Sequence, residues 1–212
     1  MKKHYLQAMI HTALSFITNE LNQYLQLRTG TPGVDRVFLT SVATESNGVI
    51  IPDKSLGVSL INIEEERVYK DQRNSLVNNS GNVEYLNPEI KLNLYVLISA
   101  NFQDKKANDS SDDYVEGLKQ LSFVISFFQA KNVFTQENSP ALADYDPNLR
   151  RLVIELYSYS FEQLYNFWTV VGAKYLPSVL YKLKIVSFQE RQVSGIAAPI
   201  EHIRIDSKTK SQ

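Results

Sequence analysis

The chain has 212 residues, 43% of them hydrophobic and 21% charged, with a formal net charge of −1. That length favours one domain with a sizeable core, and the near-neutral balance removes the bulk basic footprint of a nucleic-acid or anionic-membrane binder. The absence of cysteine excludes disulfides, thiolate metal sites and a cysteine nucleophile, and it fits a reducing compartment.

The opening MKKHYLQAMIHTALSFI sets two lysines before an apolar stretch, but Gln7, His11, Thr12 and Asn19 interrupt it and no small-x-small cleavage site follows. Residues 4–27 instead place Leu6, Met9, Ile10, Ala13, Leu14, Ile17, Leu21 and Leu25 at three-and-four spacing, which predicts an amphipathic helix. RTGTPG at 28–33 ends it, since Gly and Pro cannot continue a helix cheaply. Short β-prone pieces follow at 34–39 and 49–51. GVSLINIEEERV at 57–68 is apolar on both faces from Val58 to Ile63, which predicts a strand inside a sheet that emerges into solvent at Glu64–Glu66. The Asn-rich residues 71–89 read as a mobile loop.

The clearest strand is 90–102. Ile90, Leu92, Leu94, Val96, Ile98, Ala100 and Phe102 share one face, and Lys91, Asn93, Ser99 and Asn101 the other. A polar loop at 103–113 leads to a helix whose capping box is Asp113 with Glu116 and whose buried stripe is Tyr114, Leu118, Leu121, Ile125 and Phe128. Lys131-Asn132 suits its C-terminus, and 135–148 reads as loop. A strand is predicted at 149–159, then a helix at 161–171 capped by Ser160 with Gln163 and buried through Leu164, Phe167, Trp168 and Val171. Gly172 and Pro177 close that helix. The last strand, 179–186, puts Tyr181, Leu183 and Ile185 opposite Lys182 and Lys184. From Gln189 the pattern dissolves. The expected organisation is one α+β domain over residues 1–188, a mixed sheet with about three helices packed on it, followed by an extended C-terminal arm over 189–212.

Chemistry finds no foothold in these residues. No phosphate loop, dinucleotide fingerprint, zincin helix or EF-hand loop is present, so no cofactor and no metal is expected. His4 and His11 lie two helical turns apart without a third ligand and read as polar residues on a helix border. Glu64–Glu66 is the densest acidic cluster, but consecutive strand residues alternate faces and do not converge on one ion. Tyr157, Tyr159, Tyr165 and Tyr175 could stack bases, yet with balanced charge they fit a protein interface better. The chain does not read as an enzyme.

Four strings carry a family resemblance: GVSLINIEEERVYKDQ (57–72), NPEIKLNLYVLISANF (87–102), LSFVISFFQAKNVFTQENSP (121–140) and FEQLYNFWTVVGAKYLPSVLYKLKIV (161–186). They resemble the tail-terminator, or cap, proteins of contractile injection systems, the phage-tail-like machines that include extracellular injection particles and relatives of type VI secretion devices. The likeness covers most of residues 5–188, in order, and leaves out the Asn-rich loop and the tail. It implies an α+β unit with helices on a sheet and no catalytic motif. It also implies a hexameric ring that closes the distal end of the inner tube and anchors the last sheath layer. The implied partners are further copies of the chain, the inner tube protein and the sheath protein, with neither nucleic acid nor membrane contact required. Assembly is expected in the cytoplasm, within a particle that some systems release. The candidate assembly residues are Glu64, Glu65, Glu66, Arg67, Lys174, Tyr175, Lys182 and Lys184, together with Val193, Ile196, Ile200, Ile203 and Ile205 on an arm that pairs with a neighbour's sheet edge. Two alternatives stay open: a baseplate or tube adaptor of the same machine, and a small-ligand or enzymatic domain using Glu64–Glu66.

Overall fold

A computed structural model describes residues 9–42, 50–66, 75–77, 82–86, 90–102, 110–147, 149–171, 175–188 and 193–197. In chain order the elements are α1 (Met9–Thr29), β1 (Val37–Leu39), β2 (Ser55–Glu65), β3 (Ser75–Val77), β4 (Val83–Leu86), β5 (Ile90–Asn101), α2 (Ser110–Ala130), β6 (Val133–Thr135), α3 (Ala141–Tyr145), β7 (Arg151–Leu156), α4 (Phe161–Val171), β8 (Ser178–Phe188) and β9 (Val193–Ala197).

The unbroken alternation of β5 makes it the spine of a mixed sheet ordered β1-β2-β5-β8-β7-β6. Only β1 with β2 is parallel; every other pairing in this sheet is antiparallel. The apolar set of β5, Leu94, Val96, Ile98 and Ala100, lies in one core with Leu56, Val58, Leu152, Ile154, Tyr181, Leu183 and Ile185. Helices α1, α2 and α3 cover that face. Phe134 of β6 is wedged against Phe16 of α1 and Phe127 of α2, with ring centroids 5.6 and 6.1 Å away. Asn22 is polar but buried, and it ties α1 to the sheet. Its Oδ1 accepts the N–H groups of Arg36 and Val37 at 2.9 Å each, and its Nδ2 donates to the Val37 carbonyl at 2.8 Å. Most buried polar groups in folded proteins are paired in this way.

Helix α4 lies on the opposite face, and its start follows the predicted capping box. The Ser160 N–H donates to Gln163 Oε1 at 2.9 Å, and the Gln163 N–H donates to Ser160 Oγ at 3.2 Å. Under it sits a second, smaller cluster of Val42, Ile51, Leu97, Trp168 and Leu176.

Several expectations are corrected. The second helix begins at Ser110, so Asp113 is no cap but a first-turn residue whose carboxylate meets Lys54 Nζ at 3.3 Å. Its buried stripe is also rotated. Tyr114, Leu118 and Ile125 are 54%, 40% and 38% exposed, while Leu121, Val124, Phe127 and Phe128 are buried. The pivot is Gly117, where an added Cβ would stand 3.2 Å from Phe102 of the β5 end. A small residue there lets helix and strand approach, and that contact sets the rotation. The Asn-rich segment holds β3 and β4, and residues 135–148 hold the single turn of α3. In the tail, β9 pairs antiparallel with β4, giving a second sheet ordered β3-β4-β9. All these elements are only three to five residues long, too short to show a period.

The two edges of the main sheet differ. At β6 the Asn138 side chain occupies the place of a neighbouring strand, accepting the Thr135 N–H at 2.8 Å and donating to the Val133 carbonyl at 3.0 Å. At the other edge β1 covers only Leu56, Gly57 and Val58, and the Thr40 N–H adds a bond to the Val58 carbonyl at 3.0 Å. The β2–β5 register then slips between Leu60 and Asn62, a bulge at Ile61. Past that point β2 has no strand on its outer side among the described residues.

Candidate assembly surface

The face shared with α4 carries the surface. The ladder places Glu64 of β2 beside Asn93 of β5, Lys184 of β8 and Val153 of β7. One row over are Asn62, Tyr95, Lys182 and Glu155. Period-two alternation puts all these side chains on the side away from α1–α3. The Tyr95 hydroxyl donates to Glu64 Oε2 at 2.8 Å, and Asn62 Nδ2 donates to Glu64 Oε1 at 3.3 Å. Asn93 Nδ2 donates to Glu66 Oε2 at 3.2 Å. Lys182 Nζ lies 5.8 Å from the centre of the Tyr95 ring, which packs edge-on against Tyr157 at 5.1 Å. Lys184 Nζ reaches Glu155 at 2.8 Å.

Glu64 and Glu66 therefore share this face, and Glu65, opposite Leu92, belongs to the other. Among the described residues no group of three or more His, Asp or Glu could hold a metal ion. The hydrogen bond to the Glu64 carboxylate, then burial, then the nearby negative charge push the Tyr95 hydroxyl up to about 12. A phenol so shifted stays protonated and serves as a fixed donor. Burial pushes Tyr181, in the main core, up to about 12 as well.

The polar ladder gives way to an apolar zone along α4. Ile61, Leu97, Tyr157, Tyr159, Gln163, Phe167 and Leu180 line a cavity of about 180 Å³ between sheet and helix. On the outer side of α4 an open hollow of about 400 Å³ is lined by Phe161, Leu164, Tyr165, Trp168, Thr169 and Tyr175. Phe161, Val170 and Tyr165 are 90%, 86% and 71% exposed. Large apolar side chains exposed together mark a docking surface more often than a free one.

A family model, that of the Pvc16 N-terminal domain, matches residues 12–202. The chain belongs to this family. No curated protein shows significant similarity to it. Among solved structures, this Pvc16-type domain is similar to the sheath/tube terminator of an extracellular contractile injection system, PVC, in its extended state. That likeness has a TM-score of 0.48 at 13% identity over 92% of this chain and 64% of the other. It is also similar to the anti-feeding prophage cap, a tube-terminating cap, with a TM-score of 0.45 at 14% identity over 90% of this chain and 60% of that one. The chain thus spans less than two thirds of the length of either structure.

Of the candidate residues, the structure brings Glu64, Glu66, Lys182 and Lys184 onto one face of the Pvc16-type domain. Tyr175 stands apart from them, on the outer side of α4, with its ring 5.5 Å from that of Trp168. Val193 and Ile196 lie on β9, opposite Leu86 and Glu84 of β4 in the same chain. Arg67, Lys174, Ile200, Ile203 and Ile205 lie outside the described residues. The sequence reading missed Tyr95, Asn93 and Glu155 as members of the face. Their strand alternation was visible; the neighbour relations across strands were not.

Proposed function

We propose that the chain is a structural cap, or tail terminator, of a contractile injection system, forming a hexameric ring that closes the distal end of the inner tube and anchors the last sheath layer. The observation that carries this reading is the family match over residues 12–202, which embraces all four strings that resemble cap proteins, in order. The surface supports it: a ladder of alternating charge beside exposed aromatics is built for contact with protein, and its carboxylates are engaged by Tyr95, Asn62 and Asn93 rather than converged on a ligand. Head-to-tail contacts around a tube close only at the matching rotation, so a ring is the form such an end-piece takes. In this reading the expected arm over 189–212 is shortened to the residues beyond β9, because β9 itself pairs with β4 of its own chain, and those residues reach a neighbour. No helix among the described residues is long and apolar enough to cross a membrane.

Native mass measurement on recombinant protein and on particles is expected to give a hexamer, and imaging of labelled particles is expected to place it at the end opposite the baseplate. A stable dimer in both preparations overturns the ring. A label at the baseplate or along the tube makes the chain an adaptor of the same machine instead.

A further inference from the structure

The outer edge of β2 at residues 60–64 has no neighbouring strand among the described residues. Leu56 and Val58 turn their backbone groups outward, to Arg36 and Thr40. The ladder's alternation makes Leu60 the next outward residue, and after the bulge, with Asn62 and Glu64 facing β5, Ile63 the one beyond. No strand among the described residues meets these groups. Their side chains are partly open as well: Leu60 is 36% and Ile63 is 45% exposed. Both project on the helix-covered side of the sheet, while Asn62 and Glu64 project on the other. The β6 edge, by contrast, is closed by Asn138. A bare edge of this kind is a template for an added strand.

We propose that this edge receives residues 200–205 of a second copy of the chain as an added strand. The proposal rests on the ring reading and names the contact that closes it. In IEHIRI, Glu201, Ile203 and Ile205 fall on one side of an extended strand and Ile200, His202 and Arg204 on the other. With the added strand parallel to β2, as β1 is, setting Ile203 beside Ile63 puts Arg204 beside Glu64 and His202 beside Asn62. Ile203 then meets Ile63 on one face, and a guanidinium meets a carboxylate on the other, the pairing that favours this register. The segment begins three residues beyond Ala197, where β9 ends.

The chain has no cysteine, so an engineered pair supplies its only thiols. Full-length protein carrying Ile63→Cys with Ile203→Cys, and a second version with Ile205→Cys, is oxidised mildly, run without reductant and weighed by native mass spectrometry. A ladder of covalently joined chains, reversed by dithiothreitol, is expected from at least one version. A hexamer with no cross-link from either version overturns the inference and leaves the ring standing. Cross-links confined within single chains also overturn it, since the tail then serves its own sheet. A protein that stays monomeric removes the ring itself. In a second arm, Glu64→Lys is expected to raise the concentration needed for half-assembly about five-fold, and adding Arg204→Glu is expected to restore it. Failure of the second change to rescue overturns the proposed pairing.

Discussion

The two faces of the main sheet are made from the same strands and do different work. Under α1–α3 every inward residue of β5 from Leu94 to Ala100 is buried in one continuous core. Under α4 the buried apolar set shrinks to a handful around Leu97 and Trp168, and the rest of that face is polar, from buried Asn93 through half-buried Lys182 and Lys184 to exposed Glu64 and Glu155. Apolar area removed from water sets the scale of stabilisation, so the first face holds the fold and the second is free to specialise in contact. The lesson is that alternation in a strand can serve folding with one set of residues and association with the other.

This contrast can be broken from the core side. Leu183→Ala, at a fully buried site, should cost about 2–5 kcal/mol, read from urea denaturation of the purified chain. Trp168→Ala should come next, at about 3 kcal/mol, because its cluster is small and its ring also borders the open hollow outside α4. If Trp168→Ala leaves the denaturation midpoint unchanged but abolishes assembly, the Trp belongs to an interface rather than to the fold.

Alkali sharpens the comparison, since a strongly shifted tyrosine lies on each face. Tyr95 and Tyr181 are both raised from 10 to about 12, so the folded chain holds protons that the unfolded chain releases. Their contribution is fully present below pH 10 and is lost as pH rises through 12. Tyr95→Phe should flatten, without abolishing, the fall in denaturation midpoint over that range, because Tyr181 still titrates. The smallest effect expected is that of Lys184→Ala. Its pair with Glu155 is partly solvated, so stability should move by about 0–1 kcal/mol, while assembly, measured by native mass, should weaken measurably.

Long periodic elements were legible in the sequence. The strand at 90–102, the lysine-striped strand at 179–186 and the capped helix at 161–171 all appear where their spacing puts them, because each repeats its signal several times. The helix at 110–130 shows where periodicity runs out. Both Tyr114–Leu118–Leu121 and Gly117–Leu121–Val124 are plausible stripes, and only the contact between Gly117 and Phe102 chooses. The run VSLINI read as apolar on both faces for a reason the sequence hides: the bulge at Ile61 returns Ile63 to the side of Leu60. Of the candidate surface, Glu64, Lys182 and Lys184 were visible as charged strand residues. Their meeting through Tyr95 and Asn93 depends on which strands are neighbours, and that is fixed by topology rather than by any local pattern.

The seal at the β6 edge has a chemical lifetime. It works because an amide offers both a donor and an acceptor, in the order a neighbouring peptide would present them. A carboxylate of the same shape accepts only, so hydrolysis of the Asn138 amide would leave an anion facing the Val133 carbonyl, and the two oxygens would part. Age, rather than mutation, could then bare a second strand edge. An edge now sealed against pairing would then be open, and aged protein would self-associate where fresh protein does not.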